Sequence, residues 1–107
     1  MVRGDLITVA LPGDIGKPRP AVVVQSDDYA GTTAVLAVPL TSLLRDADAF
    51  RFTIAPSPTN GLRLTSQAML DKLSSPRRDR CGPVIGRLTT EEMEELTRRV
   101  VALLGAR

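Results

Sequence analysis

Arg19 stands between Pro18 and Pro20, just ahead of the apolar run Ala21–Val24, in the stretch "GKPRPAVVVQSD". Both prolines restrict the backbone around it, so the guanidinium projects from the start of a strand with little conformational freedom left to lose. A guanidinium held in this way suits planar, bidentate contact with a phosphate or carboxylate. The alternative is an ordinary solvated loop arginine. Asp14, five residues earlier in the same loop, is either an ion-pair partner for Arg19 or a general base beside it. A second stretch, "VPLTS" (Val38–Ser42), ends an apolar run with two adjacent hydroxyls. Thr41 and Ser42 either close a turn on their own backbone or, set near Arg19, donate to a phosphate oxygen.

A third group is basic. Arg77, Arg78 and Arg80, interrupted by Asp79 and followed by Arg87, form either a solvated rim or a surface that tracks a nucleic-acid backbone. Aromatic stacking on bases has little to work with, because Tyr29 is the one tyrosine, tryptophan is absent, and both phenylalanines fit a core. The chain has no histidine, which removes the usual zinc sites and the usual imidazole base. Cys81 is the one cysteine, so it makes no internal disulfide. Without an imidazole to activate it, it reads as a small hydrophobe and not a nucleophile. The "RGD" at Arg3–Asp5 reads as coincidence.

These residues need a scaffold. With 107 residues, 43% hydrophobic and 24% charged, the chain suits a single soluble domain, 1–107, with one core. The longest apolar run, Ala34–Leu40, contains Pro39 and falls well short of the ~20 residues of a spanning helix. The amino end, "MVRGDLITVAL", lacks a signal-like apolar stretch, so a cytoplasmic location is expected. The net charge of +2 is too small to indicate nucleic acid by itself. Lys17 and Lys72 are the only lysines, and an arginine-rich balance fits phosphate recognition and a GC-rich genome equally well.

Six strands are predicted. Asp5–Leu11 and Pro20–Gln25 are joined by a Gly- and Pro-containing loop, and Thr33–Thr41 follows, with Pro39 implying an edge or a bulge. Ala49–Ile54 alternates Phe50, Phe52 and Ile54 against Arg51 and Thr53. Leu64–Leu73 and Gly82–Leu88 complete the set, with a helical turn between them that starts at Pro76 and is capped by Ser75. The carboxyl end is helical, with Thr89 and Glu92 as a capping box and Gly105 as the stop. Its apolar stripe is Met93, Leu96, Val100, Leu103 and Leu104, which should pack on the sheet. Short strands followed by one amphipathic helix predict a mainly β (α+β) protein, a small curled antiparallel barrel with the helix closing one end.

In order, "RGDLITVAL", "GKPRPAVVVQSD", "VPLTS", "SQAMLDKL" and "IGRLTTEEMEEL" resemble the MazF/PemK (Kid) family of toxin endoribonucleases from toxin-antitoxin systems. The resemblance covers nearly the whole chain. It implies an SH3-like barrel with a carboxyl-terminal helix, a homodimer, and cleavage of single-stranded RNA without a metal or other cofactor. It also implies a small antitoxin partner whose flexible, acidic and apolar tail fills the RNA groove.

The resemblance makes Arg19 and Thr41 the catalytic pair. Asp14 stands where the family often has Glu, one methylene shorter. Ser66 matches a small position opening the later strand, and Asp71-Lys72 replaces the family's acid-amide pair, so Lys72 should alter RNA or antitoxin contacts. Lys17, Ser42, Ser66, Lys72, Arg77, Arg78 and Arg80 are the expected RNA-binding residues. Two other readings remain at this point. One is a CcdB-type gyrase-binding module on the same barrel, whose characteristic tryptophan near the carboxyl end is missing here; the other is an inactive homologue.

Overall fold

The computed structural model describes residues 1–10, 17–46 and 49–106. Among them, six strands precede one helix: β1 (Asp5–Val9), β2 (Arg19–Val23), β3 (Ala37–Thr41), β4 (Arg51–Ile54), β5 (Ser66–Met69), β6 (Val84–Arg87) and α1 (Thr90–Leu103). They form one antiparallel sheet in the order β4-β5-β3-β2-β1-β6. The architecture is mainly β with a carboxyl-terminal helix, as the sequence predicts.

Side-chain alternation divides the core between the two faces of the sheet. Leu6, Val22, Val38, Leu40, Ile54, Ala68 and Leu70 point to one face and pack against Met93, Leu96 and Val100 of α1. Ile7, Val9, Ala21, Val23 and Ala37 point to the other and are covered by Val35 and Cys81. Burial on both faces explains why the central strands read as continuous apolar runs. Each buried Leu, Ile or Val contributes about 1.5–3 kcal/mol relative to exposure.

Several expectations change. The third strand begins at Ala37 instead of Thr33, and Ala34 makes an isolated bridge to Arg77. The fifth ends at Met69, where the chain tightens into a 3-10 turn over Leu70–Lys72. Pro39 lies in an interior strand and not at an edge. Ala37 N–H donates to the Ser74 carbonyl (2.9 Å), so two residues on the missing Pro39 N–H faces the same side. On that side the β5 pairing begins only at Leu40, so the proline falls in a break of the ladder. Ser75 caps nothing: the turn is a 3-10 turn over Arg78–Arg80, with Arg77 at its cap position and no side-chain cap bond.

Arg51, expected on the solvent side, is buried, while Phe50 is exposed. The Thr89–Glu92 capping box forms as predicted, and Gly105 ends the helix region at φ 85°. Leu103 and Leu104, assigned to the packed stripe, are instead exposed, because the helix runs past the edge of the core after Val100.

β4 and β6 remain the two edges of the sheet, so among the described residues no strand ladder closes the barrel. The loop after β4 bridges the gap. Arg87 N–H donates to the Thr59 carbonyl (2.8 Å). A Cβ on Gly86 would stand 2.3 Å from the Asn60 carbonyl group, and one on Gly61 (φ 71°) would stand 2.1 Å from the Ile85 oxygen. Backbone therefore lies directly on backbone at this seam, which only glycine permits. Asn60, fully buried, shapes the loop: its Oδ1 accepts from Ser57 N (3.1 Å) and Leu62 N (3.0 Å), and its Nδ2 donates to the Ala55 carbonyl (2.9 Å).

Replacing Asn60 with Ala removes a fully buried side chain and leaves three part-buried backbone groups without their partner, so Asn60→Ala is expected to cost about 2–4 kcal/mol. In a thermal melt this lowers Tm by roughly 10 °C or more. A shift of a degree or two would show that the loop holds itself.

Candidate functional site

Pairing registers decide which of the singled-out residues meet. In the β2–β3 ladder Val22 stands opposite Val38 and Ala21 opposite Pro39, the last pair, so Arg19 and Thr41 each lie two residues beyond its end, on the same face. On the other side of β3, Thr41 pairs with Gln67, and Gln67 pairs with Thr53 of β4. Across β2, Arg19 pairs with Val9. Arg19, Thr41, Gln67 and Thr53 thus form one row on a single face of the sheet, the face that carries Ala21, Val23 and Ala37 deeper in. That face changes from apolar to polar as it approaches the ends of β2 and β3.

Arg19 and Thr41 open onto a cleft of about 740 Å³, lined also by Lys17, Ser42, Arg63 and Ser66. Leu43, Leu62, Leu64 and Ile85 supply its apolar walls. Lys17, Arg19 and Arg63 are its charged residues, and no carboxylate lines it among the described residues. Such a cleft concentrates polyanions and has apolar surface for flat rings. The far wall includes Gly61, part of the closing loop, so the backbone seam also bounds the cleft.

Leu43 N–H donates to Thr41 Oγ1 (3.1 Å), which occupies a lone pair and leaves the hydroxyl proton to donate. Ser66, buried, spends its proton on the Leu64 carbonyl (2.9 Å), so toward the cleft it offers an acceptor. Asp14 lies outside the described residues. Arg63 was not among the sequence candidates. Its only signal is its position two residues after the Asn60-Gly61 pair, a turn dipeptide that aims the following residues back toward the sheet.

The remaining basic candidates do not line this cleft. Lys72 is exposed on the 3-10 turn after β5. Arg77 is committed to Asp79, with bonds of 3.1 Å from Nε and 2.9 Å from Nη2. That hydrogen bonding is the main cause holding the Asp79 carboxyl below its ordinary range. Arg78 donates through Nε to the Thr32 carbonyl (2.5 Å). Arg87 pairs with the buried Asp5 carboxylate at 3.0 Å. Spacing in the sequence groups these arginines, but the fold gives Arg77, Arg78 and Arg87 local partners.

A small β-sheet protein with a terminal helix and a cationic, hydroxyl-bearing cleft is the class defined so far. Residues 2–104 match the family described as PemK-like, MazF-like toxin of type II toxin-antitoxin system. The chain belongs to that family. It is 37% identical over 106 residues to a protein of Mycolicibacterium smegmatis named probable endoribonuclease MazF, covering 98% of this chain and 97% of that one. Two solved structures share the fold at lower identity. An endoribonuclease in complex with its cognate antitoxin, from a mycobacterial species, superposes with a TM-score of 0.82 at 22% identity, over 100% of this chain and 97% of that one. The Mycobacterium tuberculosis toxin MazF-mt6 gives 0.79 at 20% identity, over 98% and 99%.

Cys81 sits apart from the cleft, packed against the second core face, its thiol directed at the Arg77 carbonyl (3.4 Å). Burial pushes the thiol above its ordinary range and outweighs the opposing charge of Arg78. A raised value means less thiolate at any given pH, so alkylation by iodoacetamide should be slow at pH 7–8 and keep rising above pH ~8.5. Mass spectrometry of labelling against pH checks this; a plateau reached below pH 8 would contradict it.

Proposed function

We propose that this protein is the toxin of a toxin-antitoxin pair and acts as a metal-independent, sequence-selective endoribonuclease on single-stranded RNA. What carries the reading is the meeting of Arg19 and Thr41, two residues 22 positions apart in the sequence, on one cationic cleft. Family membership supports it and displaces the gyrase-binding alternative.

In the reaction the 2′-oxygen of a ribose attacks the adjacent phosphorus. A bond forms from the 2′-oxygen to phosphorus, and the bond from phosphorus to the 5′-oxygen of the next nucleotide breaks. The 2′-proton leaves to a base or water, and the departing 5′-oxygen takes up a proton. The products are a 2′,3′-cyclic phosphate and a 5′-hydroxyl. Negative charge builds on the non-bridging oxygens as the first bond forms. Arg19 and the Thr41 hydroxyl stabilise that charge with donors that need no rearrangement. An arginine rarely gives up its proton, so stabilisation ranks above acid catalysis for Arg19. Asp14 is the candidate base.

Lys17, Arg63, Ser42 and Ser66 hold the RNA in the cleft, and the apolar wall receives bases. Lys72, Arg77, Arg78 and Arg80 serve as contacts to flanking RNA outside it, Arg77 least of all because Asp79 already occupies it. The protein works in the cytoplasm as a homodimer, and an acidic, apolar antitoxin tail competes for the cationic cleft by the same complementarity that draws RNA.

Incubating the purified protein with a long RNA in excess EDTA should yield fragments ending in cyclic phosphate. Arg19→Ala should lower kcat by about 10²–10³-fold. Absence of cleavage, or cleavage unchanged by the substitution, defeats the proposal. Sedimentation at micromolar concentration should report a dimer.

A further inference from the structure

Gln67 is buried at the centre of the polar row, and its amide is saturated. Its Oε1 accepts from Arg45 N (3.0 Å) and from Arg51 Nη1 (3.1 Å). Its Nε2 donates to the Arg45 carbonyl (2.9 Å) and to Thr53 Oγ1 (3.2 Å). Two protons and two lone pairs are all used, and turning the amide over would set its NH2 against two donors. The orientation is therefore unique.

Two of the four bonds clasp both polar groups of one residue, Arg45, in the segment that leaves β3. Arg51 adds a third hold, since the nitrogen that reaches Gln67 also donates to the Leu43 carbonyl (3.3 Å). Leu43 is the residue whose N–H fixes Thr41 Oγ1. A continuous chain of hydrogen bonds thus runs from the buried Gln67 and Arg51 through the backbone of Leu43 and Arg45 to the hydroxyl of Thr41.

Burial of Arg51 makes this arrangement costly to maintain for packing alone. A guanidinium taken largely out of water needs compensation, and among the described residues its bonding partners are a neutral amide and a backbone carbonyl, with no carboxylate. The Arg51 carbonyl is in turn held by Arg99 Nη1 (3.1 Å), whose guanidinium lies over the Phe52 ring at 5.3 Å. The segment being held is otherwise exposed, with Ser42, Leu43, Leu44 and Arg45 all facing water. Two buried polar side chains spent on an exposed segment are explained by what that segment must keep in place.

We propose that Gln67, backed by Arg51, is a positioning residue for the ribonuclease reaction: it holds residues 43–45 so that the Thr41 hydroxyl points its proton into the cleft. The inference rests on the ribonuclease reading above. Misplacing a donor by about 1 Å costs up to ~10²-fold in rate, so Gln67→Leu should lower kcat by about 10- to 100-fold with KM little changed.

A double-mutant cycle separates this role from a merely structural one. In a Thr41→Val background the hydroxyl is gone, so Gln67→Leu should cost almost nothing further in kcat. Should Gln67→Leu not fold, Gln67→Glu serves in the same cycle, because it keeps the accepted bonds from Arg45 and Arg51 and loses only the donated pair. It should show a smaller loss that also vanishes with Thr41→Val. An active wild type with no loss in either variant, or with a loss undiminished in the Thr41→Val background, overturns the inference and leaves the ribonuclease reading intact. A wild type that leaves RNA uncut overturns both.

Discussion

Antiparallel register decides which side chains share a face, and in this sheet the register on both sides of β3 is what brings the chemistry together. A slip of one residue on either side would turn Arg19 or Gln67 to the face packed against α1. The apolar pattern prevents such a slip. Val22 and Val38 pack in the α1 layer while Ala21, Val23 and Ala37 pack in the opposite layer, so any shift would drive Arg19 or Thr41 into the α1 layer and exchange side chains of different size between two packed layers. Core and cleft are therefore one constraint: the burial that stabilises the centre of β2 and β3 also sets the alignment of their polar ends.

Closure of the sheet is a second constraint, coupled to the first through the cleft. Gly61 and Gly86 allow the loop after β4 to lie against β6 by backbone contact, and that same loop supplies the wall holding Arg63 and Leu62. Asn60 fixes the loop from beneath with three bonds to backbone. Gln67 does the corresponding work on the opposite side of the cleft, where it holds Arg45. Both walls are loops, yet each is tied to a buried amide side chain: Asn60 through three bonds to backbone, Gln67 through two to the backbone of Arg45 and two to the side chains of Arg51 and Thr53. A cleft made of loops gains definite shape in this way, without long loops of its own secondary structure.

Much of this was legible in the sequence because it is periodic or local. The existence of β4, the 3.6-residue stripe of α1 as far as Val100, and the Thr89–Glu92 box all follow from neighbours a few residues apart. Arg19 was legible because two prolines flank it, and Thr41 because it ends an apolar run. What was not legible depends on register between distant segments. Arg51 reads as a solvent-side residue because alternation places it opposite Phe52 and Ile54, yet the 42–45 segment folds over that side and buries it. Gln67 and Asn60 gave no signal, since an amide's role depends wholly on which backbone groups reach it. The arginines at 77, 78 and 80 are close in sequence, but their local partners were not legible there: a 3-10 turn splays them toward Asp79, Thr32 and solvent.

Absence of histidine from the chain gives the arrangement its chemical logic. An imidazole can take up and return a proton near neutral pH, so it can serve as acid and base in turn. A guanidinium and a hydroxyl near neutrality cannot exchange protons usefully with the reacting oxygens. Their contribution lies almost wholly in standing in the right place before the charge appears. The proposed site would depend on rigidity more than on tuned acidity; prolines on either side restrict the backbone of Arg19, and a backbone N–H bonds the Thr41 oxygen. That N–H belongs to a segment clasped by Gln67 and Arg51. On the proposed reaction, electrostatic preorganisation gives a reason for the bond that the buried Arg51 donates to the Leu43 carbonyl on the protein surface.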